Sequence, residues 1–225
     1  LAAEGARVAV TDLDPASARA VAEEVEGAAY ELDVRSTRSV ADAVGRAREE
    51  IGPLDTLVNN AGYDEFGFFV RTEPEMWDRV LAVNLRGVLA VTREVLPQMQ
   101  DRGAGRIVNV ASEAGRVGSQ GSTVYSAAKA GVIGFTKAVA RESARFGVTC
   151  NAIAPGPIET PLLMSAPEQL GDLGERLVRG MVEATAMRRI GQPEEVAAAV
   201  AFLASDDAAF VTGETLGVSG GLGMA

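Results

Sequence analysis

Three side chains of this sequence have the types and spacing to move a proton: Ser112, Tyr125 and Lys129. Tyr125 and Lys129 are four apart at the start of a helical pattern, so both project from one helix face. A free phenol titrates near pH ~10 and is a poor acid–base group at neutral pH. A nearby ammonium stabilises the phenolate and lowers that value. Ser112, past the end of a different strand, offers a hydroxyl to the oxygen of a carbonyl or alcohol. Such a set suits hydride transfer, in which an oxygen gains or loses a proton as its carbon changes oxidation state. By spacing alone, an amphipathic pair on a helix surface is the commoner meaning.

Composition narrows the alternatives. The 225-residue chain contains no histidine, which removes Ser-His-Asp and Cys-His catalysis and the commonest zinc ligand, so no metal site is expected. One cysteine, Cys150, excludes an internal disulfide and suits a reducing cytoplasm. Lys and Arg total 21 against 31 Asp and Glu, a net charge of −10 that repels nucleic-acid phosphates. The longest strongly apolar stretch, 196–204, is too short to cross a bilayer. A cytoplasmic protein acting on a small-molecule substrate, with no nucleic-acid or membrane partner, is expected.

The elements that must position the three residues alternate along the chain. Apolar runs at 7–11, 28–32, 56–58, 106–110, 148–154 and 215–218 read as strands. Helical patterns separate them: one capped by Asp14 with Pro15 behind it, one capped by Ser36 and stopped by Gly52-Pro53, and two long ones at about 74–100 and 125–146. The first long helix carries Asn84 at a suspected kink, and 115–122 reads as a Gly/Ser-rich loop. This order predicts one α/β domain over 1–225, a doubly wound, three-layered, Rossmann-like parallel sheet, with 161–192 as a substrate-covering helical insertion. Ligands of such sheets lie beyond the carboxyl ends of the strands, which here carry Asp12, Asp33, Asn59, Asn60, Ala61, Gly62, Ser112, Pro155 and Gly156.

The segments 59–62 (NNAG), Asn84, Ser112, 125–129 (YSAAK) and 155–156 (PG) stand in the order and spacing of the short-chain dehydrogenase/reductase family, and the resemblance runs from the first residue to the last. It implies that Tyr125 is the general acid/base, that Lys129 lowers its pKa and grips the nicotinamide ribose, and that Ser112 donates to the substrate oxygen. Asn84 resembles the residue that holds a water in the proton relay. The turn of Asn60, Ala61 and Gly62 resembles the one packed beside adenosine, to which Asp33 and Val34 are added. Pro155, Gly156, Ile158 and Thr160 resemble the segment at the nicotinamide carboxamide.

Asp12 can accept hydrogen bonds from both adenosine ribose hydroxyls and would repel a 2′-phosphate, which predicts NAD(H) over NADP(H). The sequence departs from the family in having no G-x-G-x-x-G or T-G-x-x-x-G-x-G turn. Residues 1–5 resemble the tail of the helix that follows this turn, so roughly 20–25 residues, with a central strand, are expected to precede Leu1 in the natural protein.

Within the family, the stretches at 63–80, 111–131 and 155–163 are most similar to 2-hydroxycyclohexanecarboxyl-CoA dehydrogenases, and the last third equally to 3-oxoacyl-carrier-protein reductases. Both imply an oxidoreductase interconverting a secondary alcohol and a ketone on an acyl thioester. Alternatives are an NADP-dependent 3-oxoacyl reductase and a catalytically silent binding or regulatory subunit. The resemblance also implies a homotetramer built through the two long helices and the C-terminal segment. Tyr63, Phe66, Phe68 and Phe69 either wall a substrate pocket or pack beneath the next helix. Glu113 either selects a polar substrate or faces solvent.

Overall fold

The computed structural model describes residues 1–224. Six strands, β1 (Ala9–Asp12), β2 (Ala28–Glu31), β3 (Thr56–Asn59), β4 (Gly105–Val110), β5 (Val148–Pro155) and β6 (Thr215–Val218), all pair in parallel. They form a two-stranded sheet, β1-β2, and a four-stranded sheet, β3-β4-β5-β6. Between them run helices α1 (Pro15–Glu24), α2 (Thr37–Ile51), α3 (Pro74–Leu81), α4 (Gly87–Arg102), α5 (Ala114–Val117) and α6 (Thr123–Ser143). Three further helices, α7 (Pro161–Met164), α8 (Ala166–Leu170) and α9 (Asp172–Ala184), occupy the segment expected to form a helical insertion, and α10 (Pro193–Ala204) precedes β6.

Local chemistry accounts for most boundaries. The Asp14 carboxylate accepts from the Ala16 and Ser17 N–H groups, and the Ser36 hydroxyl from that of Ser39. Each satisfies donors that the first helical turn leaves open. The long helix expected at 74–100 is interrupted by a π-helical turn, Ala82–Arg86, with Asn84 at its centre. The insertion of a residue there turns Asn84 off the regular helical spacing, as such bulges do at functional sites. The region read as a loop at 115–122 begins instead with the single turn of α5.

The strands of the larger sheet are covered on both faces. Ile107, Val148 and Cys150 join Val91, Val95 and Met99 of α4, Val139 of α6 and Val40 and Val44 of α2 in one cluster. Val108 and Ile153 point the other way, onto Val200 and Leu203 of α10. Alternate residues of a strand face opposite sides, so β4 and β5 serve both helical layers. A polar ladder threads the first layer. Asn59 donates to Thr92 (3.0 Å) and to Asn109 (2.8 Å), and Asn109 in turn to Thr136 (2.9 Å). These buried amides are partnered and fix the register of β3 and β4 against α4 and α6.

Candidate active site

Ser112 is carried just past the end of β4, where the backbone stays tied to β5: Ala111 N–H donates to Ile153 O (2.8 Å) and Glu113 N–H to Pro155 O (3.0 Å). The Ser112 hydroxyl oxygen accepts from Ala114 N–H at 3.1 Å. The turn of α5 then lies directly on α6. A Cβ at Gly115 would stand 2.6 Å from the backbone carbon of Lys129, so only glycine permits this approach.

Tyr125 and Lys129 extend from the first turns of α6, and the Lys129 Nζ lies 5.4 Å from the Tyr125 ring centre. Lys129 is buried, and its Nζ donates to Val110 O at 2.8 Å. Burial holds the Lys129 ammonium down at about 8, with the Asp64 carboxylate pulling it back up. Burial also pushes the Tyr125 phenol up to about 12, and Asp64 adds to the rise, while the Ser112 hydroxyl acts to lower it. The three residues of the proton-moving set therefore meet, but the expected lowering of the phenol by Lys129 is not found: burial and Asp64 outweigh it, and the phenol is protonated at neutral pH.

Asn84 is fully buried. Its amide clamps the backbone of Tyr63, donating to Tyr63 O (2.5 Å) and accepting from Tyr63 N–H (3.2 Å), while also donating to Val80 O (2.9 Å). This holds the turn of Asn60, Ala61 and Gly62 over the site: a Cβ at Gly62 would lie 3.5 Å from Asn84 Oδ1 and 3.9 Å from Lys129 Nζ.

The other expected ligand residues fall in two groups. Asn60, Pro155 and Ile158 line a groove of about 300 Å3 with Val58 and Val110 at the carboxyl ends of β3, β4 and β5. Gly156 closes against the end of β6, its N–H donating to Val218 O (3.0 Å), and Thr160 caps α7 by accepting from Leu163 N–H (3.4 Å). The second group lies on the smaller sheet. Asp12 is exposed at the end of β1 and accepts from Asp14 N–H at 2.9 Å. Asp33 is gripped by Arg35 through two 2.9 Å contacts, which lower its carboxyl below the usual range. Val34 packs against Gly87, whose Cβ would stand 2.8 Å from Val34 Cγ2.

A dinucleotide fits these residues at both ends. The apolar groove is lined by Val110, whose carbonyl accepts from the buried Lys129 Nζ, and the Asp12 carboxylate stands exposed at the end of β1.

Glu113 turns out neither to face solvent nor to open toward the groove. It is 1% exposed and accepts from Arg116 Nη1 at 3.0 Å. Phe69 stacks on Trp77 at 5.5 Å between ring centres, which places it against α3. Sequence reasoning passed over Asp64. It is 6% exposed, accepts from the Ser122 hydroxyl at 2.7 Å, and is pushed up to about 6 by burial. Its only sequence signal is an Asp-Glu pair between the NNAG turn and a run of aromatic residues. Among the described residues, no three His, Cys, Asp or Glu side chains gather as a metal site, and no helix is long and apolar enough to cross a membrane.

Residues 1–223 match the family described as enoyl-(acyl carrier protein) reductase. The chain is 46% identical over 178 residues to an acetoacetyl-CoA reductase of Rhizobium meliloti, covering 79% of this chain and 71% of that one. It is 40% identical to the 3-oxoacyl-[acyl-carrier-protein] reductase FabG of Thermotoga maritima, covering 98% and 89%. Among solved structures, a single-residue variant of actinorhodin polyketide ketoreductase with NADPH superposes with a TM-score of 0.94 at 40% identity, covering 100% of this chain and 90% of that one. The chain belongs to the short-chain dehydrogenase/reductase family. It is an NAD(P)-dependent oxidoreductase.

Proposed function

We propose that this protein interconverts β-oxoacyl and β-hydroxyacyl thioesters, with NAD(H) as its cofactor. The observation that carries the reading is the convergence of Ser112, Tyr125 and Lys129: the Ser112 hydroxyl acts on the Tyr125 phenol, and the Lys129 Nζ lies 5.4 Å from the Tyr125 ring centre. The cofactor, when bound, supplies or accepts the hydride. In the reductive direction the Ser112 hydroxyl donates to the ketone oxygen and orients it. The Tyr125 phenol transfers its proton to the same oxygen as negative charge develops there. A phenol at about 12 is still a far stronger acid than an alcohol, so the transfer runs downhill. Lys129 grips the ribose and offers a positive charge to the phenolate left behind, offsetting the cost of burying that anion. Asn84 holds the neighbouring turn and the water of the relay, and the segment 161–192 covers the substrate.

The thioester reading is supported by the names of the relatives, and the cofactor reading by Asp12, whose charge opposes a 2′-phosphate. Assembly as a homotetramer is supported by family resemblance and by apolar side chains left exposed on α3, α4 and α10, among them Leu81, Leu89 and Phe202.

The test is Tyr125→Phe assayed with acetoacetyl-CoA. Turnover should fall by about 10²–10⁴, while NADH binding, followed by its fluorescence, stays within about twofold. Retention of a tenth of the activity would remove Tyr125 from its role. Wild-type protein with no turnover on any β-oxoacyl thioester would instead favour a silent binding subunit, and a Kd favouring NADPH would overturn the choice of cofactor.

A further inference from the structure

Ser122 stands at the N-cap of α6, where a serine hydroxyl ordinarily accepts from the N–H groups of the first turn. It makes no such cap here. Its Oγ donates instead to Asp64 Oδ2, 58 residues away, at 2.7 Å. The other oxygen, Oδ1, is shielded from solvent and has no hydrogen-bond partner among the described residues. A buried carboxylate with an orphan oxygen is costly unless a charge compensates it. The segment carrying it is also held in place. Gly67 N–H donates to Gly121 O at 2.8 Å, and Asn84 clamps Tyr63 on the other side.

The titratable groups that act on Asp64 are few. From α6 come Lys129 and Tyr125, and from its own segment Glu65, which is engaged by Arg79 of α3 at 2.8 Å. Lys129 is the cation that the geometry brings to this carboxylate. A Cβ at Gly62, two residues before Asp64, would lie 3.9 Å from the Lys129 Nζ. Ser122, which holds Asp64, stands two helical turns before Lys129 on the same face of α6. Lys129 is the same group that burial pushes toward its neutral form.

We infer that Asp64 is a positioning residue of the reaction: pinned by Ser122 beside the first turn of α6, its carboxylate keeps Lys129 cationic and so sets the pH window of the Tyr125–Lys129 pair. The inference rests on the reaction proposed above. Asp64 touches neither substrate nor cofactor in this role. Its field favours the Lys129 ammonium and disfavours the Tyr125 phenolate, so the phenol stays protonated and the lysine charged over a wider span of pH.

The sequence holds two lysines, Lys129 and Lys137. The full chain labelled with ¹³C-lysine therefore gives two Cε resonances, assigned with Lys137→Arg. In the wild type, Lys129 should titrate near pH 8, with a further inflection near pH 6 where Asp64 takes up its proton. Asp64→Asn keeps an acceptor for Ser122 and removes the charge. It should move the Lys129 midpoint acidward by about one pH unit, leave Lys137 in place, and draw the basic limb of the pH–rate profile for acetoacetyl-CoA the same way. An unmoved midpoint overturns the inference, since a merely structural Asp64 would shift nothing. If Asp64→Asn does not fold, a wild-type curve with no inflection near pH 6 overturns it as well. A shifted midpoint in a protein that reduces no thioester upholds the Asp64–Lys129 coupling and defeats only the proposed reaction.

Discussion

Strands β4 and β5 are buried on both faces, with Ile107, Val108, Cys150, Ala152 and Ile153 at 0–1% exposure, whereas β1 runs from two half-buried residues to two exposed ones. The larger sheet carries Ser112 at the end of β4 and supports α6, and hence Tyr125 and Lys129, against β5. The smaller sheet carries Asp12 at the end of β1. Proton transfer needs groups fixed to within a fraction of an ångström, and a close-packed layer between two helical faces supplies that stiffness. Cofactor selection by a single charge tolerates a looser support. Under the proposed function, the groups that move the proton sit on the larger sheet and the charge that selects the cofactor on the smaller.

The comparison breaks most directly by truncating one side chain in each sheet. Ile153→Ala removes a fully buried side chain at the junction of β5 and α10 and should cost about 4 kcal/mol. Val10→Ala, at a half-buried position of β1, should cost about 1 kcal/mol. Denaturant midpoints with unchanged slopes check both values. Equal costs would mean that the smaller sheet is packed as firmly as the larger.

Much of this division was legible in the residues because its causes are local. The caps at Asp14 and Ser36 follow from groups within a turn of one another. So does the pairing of Tyr125 with Lys129 on a single helical face. What escaped depends on partners distant in sequence. Asp64 and Ser122 meet across 58 positions, and nothing near Ser122 signals that its hydroxyl abandons its own helix. The solvent-facing alternative for Glu113 failed for the same reason: its burial is set by its place beside Gly217 of β6. The α5 turn was hidden by glycine and serine content, which reads as loop unless the approach to α6 is known.

Asp64 also sharpens the comparison, because a stiff interior cannot relax around a buried charge. Its carboxyl is raised from 3.8 to about 6 on folding, so the folded state binds the proton more tightly than the unfolded chain. The stability this confers is complete below pH ~4 and lost as pH rises through ~6, by up to about 3 kcal/mol. Asp64→Asn should therefore melt higher than the wild type at pH 7, with the gap closing between pH 6 and pH 4. A gap that is the same at every pH would show that the carboxylate is not under electrostatic stress.

Asp12 is the matching carboxylate on the exposed sheet, and the contrast predicts opposite behaviour. Its charge is hydrated, so Asp12→Asn should leave thermal stability within about 0.5 kcal/mol. The effect should fall on recognition. Without the charge that opposes a 2′-phosphate, the ratio of NADH to NADPH affinity should drop by about tenfold, the size of one screened charge pair. Paired Kd values for the two reduced cofactors measure it. A ratio that does not move would place cofactor choice elsewhere in the molecule. A stability loss of several kcal/mol would show instead that the rim of β1 is part of the packed structure, and the separation of chemistry from recognition would lose its physical basis.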